Sequence, residues 1–223
     1  MTETLTAGRG AGWVLRADVP DGIFTLGVEA DDAGAAAEHA AFADQCLPAL
    51  LALPDNEGAD RGGLRAAVVA QLAGLRRTVR DQGIGYLGAF AGRVEDRLTL
   101  VLLAVASSTV EFPPQIDPAS VLAVMAREEY PEADVEEFDT PAGRAVGLRR
   151  VEPLRGLPEG QQRIAGVAQA LVPFPQAGLL GAVVGYTYTG QDVDVAAAIT
   201  AVMACRMRAV AAEPAAPELL TTP

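Results

Sequence analysis

The chain contains no lysine. All 17 of its basic residues are arginine, which excludes a Schiff-base lysine, a P-loop lysine and a serine–lysine pair. Histidine is almost as scarce, with His39 the single example, and the only serines are Ser107, Ser108 and Ser120. None of these serines lies in a GxSxG elbow, so a Ser-His-Asp hydrolase has no frame here. His39 sits in an alanine-rich helical turn and reads as an ordinary helix-surface residue. The two cysteines, Cys46 and Cys205, are far apart in helix-like apolar stretches. They read as buried free thiols, and with one histidine they supply no pair at zinc-ligand spacing.

Aromatic residues make up only 5% of the chain, so its interior must be built from Ala, Val and Leu. No run reaches the roughly 18–20 apolar residues of a membrane helix. The longest candidate, LTLVLLAVASSTV at 98–110, is rich in β-branched residues and suits a buried strand. The opening MTETLTAGRGAG has no basic segment followed by an apolar run, so it does not read as a signal peptide. Walker A, EF-hand and HExxH patterns are missing too. The expectations are therefore no catalytic residues, no metal, no cofactor, no membrane insertion and a cytoplasmic location.

One glycine pattern mimics a nucleotide-binding fingerprint. Gly83, Gly85 and Gly88 form a G-x-G-x-x-G, but a true dinucleotide fingerprint follows a strand and opens a helix. Here the order is reversed, and the glycines read as strand positions packed close beneath a helix.

Among the 223 residues, half are apolar and the net charge is −12. That composition fits a globular chain long enough for one sizeable core or for two small ones. The acidic balance repels phosphate backbones, which argues against nucleic acid and anionic membranes as partners. Charge is uneven: residues 61–110 hold seven arginines against three acids, and residues 111–160 hold 11 acids against five arginines.

The pattern along the chain predicts a loose tail at 1–12, a single domain over 13–212 and a disordered tail at 213–223. Within the domain, Asp21-Gly22 signals a hairpin over 13–30. Helices are expected at 31–54, broken or kinked at Pro48, and at 64–83. Strands at 84–94 and 97–110 meet at Glu95-Asp96, and a helix follows, capped by Asp117 with Pro118 in its first turn. Two further hairpins, 133–140 with 144–152 and 164–174 with 178–188, precede a last helix at 192–212. Strands in adjacent pairs imply an α+β fold: an antiparallel sheet built from hairpins, with about four flanking helices.

The densest chemistry lies in EEYPEADVEEFDTPAGRAVGLRR, residues 128–150. Glu128, Glu129, Glu132, Asp134, Glu136, Glu137 and Asp139 fall within twelve residues, and Arg144, Arg149 and Arg150 follow. The acids lack Asp-x-Asp-x-Asp spacing and a terminal bidentate Glu, so the segment is not a calcium loop. Strand alternation sends Val135, Glu137 and Asp139 to one face and Glu136 and Phe138 to the other. Thr140-Pro141-Ala142-Gly143 makes a tight turn, and the returning arginines can pair with the acids across the ladder.

DTPAGRAVGLRRVEP, followed by IAGVAQALVPFPQAGLLGAVVGYTYTG and a closing amphipathic helix, resembles the C-terminal half of an actinobacterial group, the PsbP-like (LpqN-type) small α+β proteins. The likeness spans about residues 98–211. It implies an antiparallel sheet flanked by helices and binding or accessory roles instead of catalysis, and it carries no catalytic residues over. The signal peptide and lipobox cysteine of the lipoprotein members are not read in this sequence, so an envelope location is not expected. Residues 31–83 read as a helical insertion.

The leading functional expectation is a non-catalytic accessory protein that binds another protein, a basic one suiting the acidic surface at 128–139; a homo-oligomer is also compatible. A second expectation is a small-molecule or lipid pocket between the sheet and the helices at 31–83. A third is a metal-dependent hydrolase using the carboxylates at 128–139.

Overall fold

The computed structural model describes residues 4–10, 12–26, 28, 32–51, 58–81, 84–94, 97–153 and 164–212. The Glu95-Asp96 turn and the tail at 213–223 lie outside them. Among these residues the fold is α+β, with a large antiparallel sheet, a small one and four α-helices.

The small sheet joins β1 (Thr4–Gly10), β2 (Trp13–Asp18) and β10 (Met207–Ala211), in the order β1-β2-β10. The large sheet contains β3 (Ile23–Thr25), β4 (Tyr86–Val94), β5 (Arg97–Thr109), β6 (Asp134–Thr140), β7 (Gly143–Pro153), β8 (Ile164–Phe174) and β9 (Leu179–Thr187). Its order is β3-β4-β5-β9-β8-β7-β6 with every neighbour antiparallel. The helices are α1 (Asp32–Leu51), α2 (Arg61–Asp81), α3 (Pro118–Glu129) and α4 (Val193–Cys205).

Alternation along the strands assigns each layer. Val101 and Leu103 of β5, with Ala168 of β8, pack on Ala196 of α4. On the same face, Val105, Ala170, Val172 and Val183 meet Leu15 and Ala17 of β2 and Met207 of β10. Neighbouring residues point the other way. Leu87, Ala89 and Leu102 lie under Phe42 and Cys46 of α1 and Leu72 of α2. Val146 and Leu171, at the far end of that second face, lie under Ala119 and Ala123 of α3. One face thus carries α4 and the small sheet; the other carries α1–α2 at one end and α3 at the other.

Small residues set how closely α4 approaches. A Cβ placed on Gly166 would lie 2.9 Å from Val193 Cβ, and one on Gly185 would lie 2.9 Å from Thr200 Cγ2. The start of α4 is tied to β5 by buried Asp192, whose carboxylate accepts from Thr99 Oγ1 at 3.2 Å and Thr189 Oγ1 at 2.9 Å. At α3, Asp117 is the N-cap, accepting from the Ser120 N–H at 3.2 Å and the Ser120 hydroxyl at 2.7 Å, with Pro118 in the first turn.

Four expectations need correction. Residues 1–12 are not simply a loose tail, because Thr4–Gly10 forms strand β1 against β2. The Asp21-Gly22 turn exists, with Gly22 at φ 86°, but its two strands belong to different sheets. Pro20 has no N–H to give a ladder, so the pairing cannot run through it. The final helix stops at Cys205, and Met207–Ala211 becomes a strand. Finally, Gly88 packs beneath an aromatic ring of its own strand instead of a helix: a Cβ there would lie 2.8 Å from Tyr86 Cε1.

Candidate functional site

The acidic segment forms the end of α3, a turn and edge strand β6. Glu128 and Glu129 are exposed in the last turn of α3, and Glu132 is exposed in the turn that follows. Asp134 accepts from Arg149 Nη2 at 2.6 Å and Nε at 2.9 Å, opposite it in the ladder. The Arg149 Nη1 also donates to Asp194 at 2.7 Å, in the first turn of α4. Glu137 pairs with Arg144, which reaches across to the cap residue Asp117 at 3.0 Å. The Ser120 hydroxyl, bonded to Asp117, holds that carboxyl below the usual range, with Arg144 adding to the effect. Glu136 and Asp139 are exposed.

The expected alternation holds. Val135 packs toward α3, while Phe138 packs against the main core. Arg150 departs from the cross-ladder expectation: it meets Glu152 on its own strand at 3.4 Å and lies over the Tyr130 ring, 4.3 Å from its centroid. The arginines therefore fasten the hairpin to α3 and α4, and the seven acids divide between two faces of the sheet and a helix end. Among the described residues no group of three or more His, Cys, Asp or Glu side chains could hold a metal ion.

Beside these acids lies a feature that the sequence pattern did not announce. The buried residues of α3 are alanines, Ala119 and Ala123 at 0% exposure and Ala126 beside them, with Leu122 half-buried against the same cluster. Its outer face carries Val121, Val124 and Met125, the last two 52% and 57% exposed, and Ile116 is exposed just before the cap. The spacing i, i+3, i+4 puts the three on one side, continued by Glu128.

His39 is not on the surface. It is 2% exposed, and its Nε2 has no hydrogen-bond partner among the described residues. Burial and then the nearby Arg76 guanidinium hold its pKa below the ordinary value, against a smaller opposing effect of Glu38. The signal was in the spacing: Ala35, His39, Phe42 and Cys46 form one buried stripe. Both cysteines are free, Cys46 buried and Cys205 half-buried.

The space between the sheet and α1–α2, expected to hold a ligand, is packed with Leu26, Phe42, Cys46, Leu72 and Leu87. A cleft of about 510 Å³ lies elsewhere, where β10 and β2 face the turns β6–β7 and β8–β9. Its walls include Trp13, Pro141, Phe174, Pro175, Met207 and Arg208. Pro141 lies in the β6–β7 turn and Pro175 opens the short 3-10 turn between β8 and β9. Gly143 closes the first turn at φ 123°, a conformation that favours glycine. Thr140 Oγ1 holds the same turn, accepting from Ala142 N–H at 3.2 Å and donating to the Gly143 carbonyl at 2.8 Å.

Comparison with family models, with curated proteins and with solved structures finds no match. Among the described residues no helix is long and apolar enough to cross a membrane.

Proposed function

We propose that the chain is a non-catalytic, cytoplasmic accessory protein that binds another protein through the outer face of α3 and its acidic rim. One observation carries this reading: α3 turns its alanines inward and Val121, Val124 and Met125 outward. A helix that serves only to close a sheet does the reverse, because large apolar groups gain most from burial. An exposed apolar patch rimmed by charge marks a contact surface.

Glu128, Glu129 and Glu132 supply the rim. The matching partner presents an apolar patch bordered by arginine or lysine, and the charges steer its approach. A two-fold contact with a second copy through this face would set like carboxylates against each other, which disfavours self-association there. The PsbP-like resemblance supports the same reading, since it implies binding or accessory roles.

The test compares capture of partners by the wild-type chain and by the double variant Val124→Glu, Met125→Glu, both first shown to melt alike. A partner held by the wild type, released by about 0.5 M salt and lost to the variant is the expected result. Identical captures by both forms refute the proposal. A wild-type dimer that the variant converts to monomer would reassign the face to self-association.

A further inference from the structure

The second edge of interest is β10. Among the described residues it is one of the two outer strands of the small sheet, opposite β1, and it carries neither carboxylate nor proline. The Asp18 N–H bonds the Arg206 carbonyl at 3.3 Å, and the Ala212 N–H bonds the Gly12 carbonyl at 2.8 Å. These two bonds set the phase of an antiparallel ladder, in which alternate residues bond the partner strand. Met207, Ala209 and Ala211 therefore direct their N–H and C=O groups away from β2. Met207, Arg208 and Ala209 also line the 510 Å³ cleft, whose volume lies in the roughly 300–1,000 Å³ range of ligand sites.

The side chains around this edge are of two kinds. Trp13, Phe174 and Met207 make an apolar wall on the cleft side. Arg16 and Arg208 stand directly across from each other in the ladder and are both exposed, with Arg208 also bordering the cleft. Like charges so placed are destabilising. Among the described residues Asp18 answers them, accepting from Arg208 at 2.5 and 3.0 Å.

We propose that the outer edge of β10, which no strand among the described residues pairs, and the cleft beside it bind an extended peptide segment whose residues alternate between apolar and acidic. Main-chain bonds to Met207 and Ala209 hold the segment as a fourth strand. Its apolar side chains enter the cleft, and its carboxylates lie beside Arg208 and offset the Arg16–Arg208 repulsion. The proposal does not depend on the α3 surface, and the Val124→Glu, Met125→Glu variant keeps this binding.

The probe is a short blocked peptide alternating valine with glutamate, added to the full chain and followed by NMR and amide exchange. The expected result is saturable binding, with exchange at Met207 and Ala209 slowed by about tenfold or more. Replacing glutamate with lysine weakens binding by about tenfold or more. Two further peptides carry N-methyl groups on alternate residues, in opposite phases; one phase abolishes binding and the other does not. Ala209→Pro removes an outward N–H without breaking the β2 ladder, so it should fold as the wild type and lose the peptide. Absence of binding, unchanged exchange at Met207 and Ala209, or equal binding of both methylated peptides overturns the proposal.

Discussion

Gly185 on β9 lies directly beneath Thr200 of α4, so close that a Cβ on the glycine would stand 2.9 Å from Thr200 Cγ2 and 3.4 Å from Ala196 Cβ. This contact sets the distance between the sheet and the helix that covers its centre. Gly185→Ala overpacks a β-branched side chain and a helix backbone, neither of which can swing away. The variant should lose about 1–3 kcal/mol of stability, read from urea unfolding. A Gly185→Ala, Thr200→Ser double variant, which deletes the obstructing methyl, should recover part of that loss.

His39 makes stability sensitive to mild acid. Its pKa in the folded chain is held below the ordinary 6.5, first by burial and then by Arg76. The unfolded chain therefore binds the proton more readily. The stability from the neutral imidazole is fully present above about pH 6.5 and is lost as pH falls through the lower folded value. The urea midpoint should drop between pH 7 and pH 5, and His39→Gln should flatten that part of the profile. An unchanged slope in the variant would assign the acid sensitivity to other groups.

The two thiols should differ in reactivity. Burial pushes Cys46 up to about 11, and the side chain is buried in the α1–α2 interface. A thiol that stays protonated and covered does not attack a disulfide reagent. In native protein an aromatic disulfide probe should label Cys205 alone, with Cys46 reacting only after denaturant is added. Equal labelling of both in native buffer would contradict the burial of Cys46.

The acids of β6 protect a sheet edge. β6 is the last strand of the large sheet, and exposed edges with charged side chains resist pairing with other chains. Glu136→Val with Asp139→Val removes two exposed charges. Folding stability should change by less than about 1 kcal/mol in total, while light scattering on incubation near neutral pH rises. A large loss of stability with no added association would instead make these acids part of the hairpin's structure.

Much of the fold was legible along the chain because its signals are local. Asp117-Pro118 announced α3, Thr140-Pro141-Ala142-Gly143 announced the β6–β7 turn, and period-two alternation placed Val135 and Phe138 on opposite faces. The errors arose where partners are distant in sequence. Arg206-Met207-Arg208 continues a helical stretch by local pattern, yet Met207 lies opposite Ala17 in a sheet. The alternation of buried Met207 with exposed Arg208 was the available signal. For His39 the helical stripe from Ala35 to Cys46 was the missed clue, overridden by its polar, alanine-rich surroundings.

Composition and local pattern by themselves determined the absence of lysine chemistry, the small-residue core, the antiparallel hairpins and the charged β6–β7 pair, because each depends on residues adjacent or a few positions apart. Only the tertiary structure decided which face of α3 is covered, which sheet β2 joins and where the cleft opens. Those features depend on contacts such as Leu15 with Met207 and Ala123 with Val146. By hydrophobicity alone the valine and methionine side of α3 would be the one buried. In the fold it is Ala119 and Ala123 that lie against Val146 of β7.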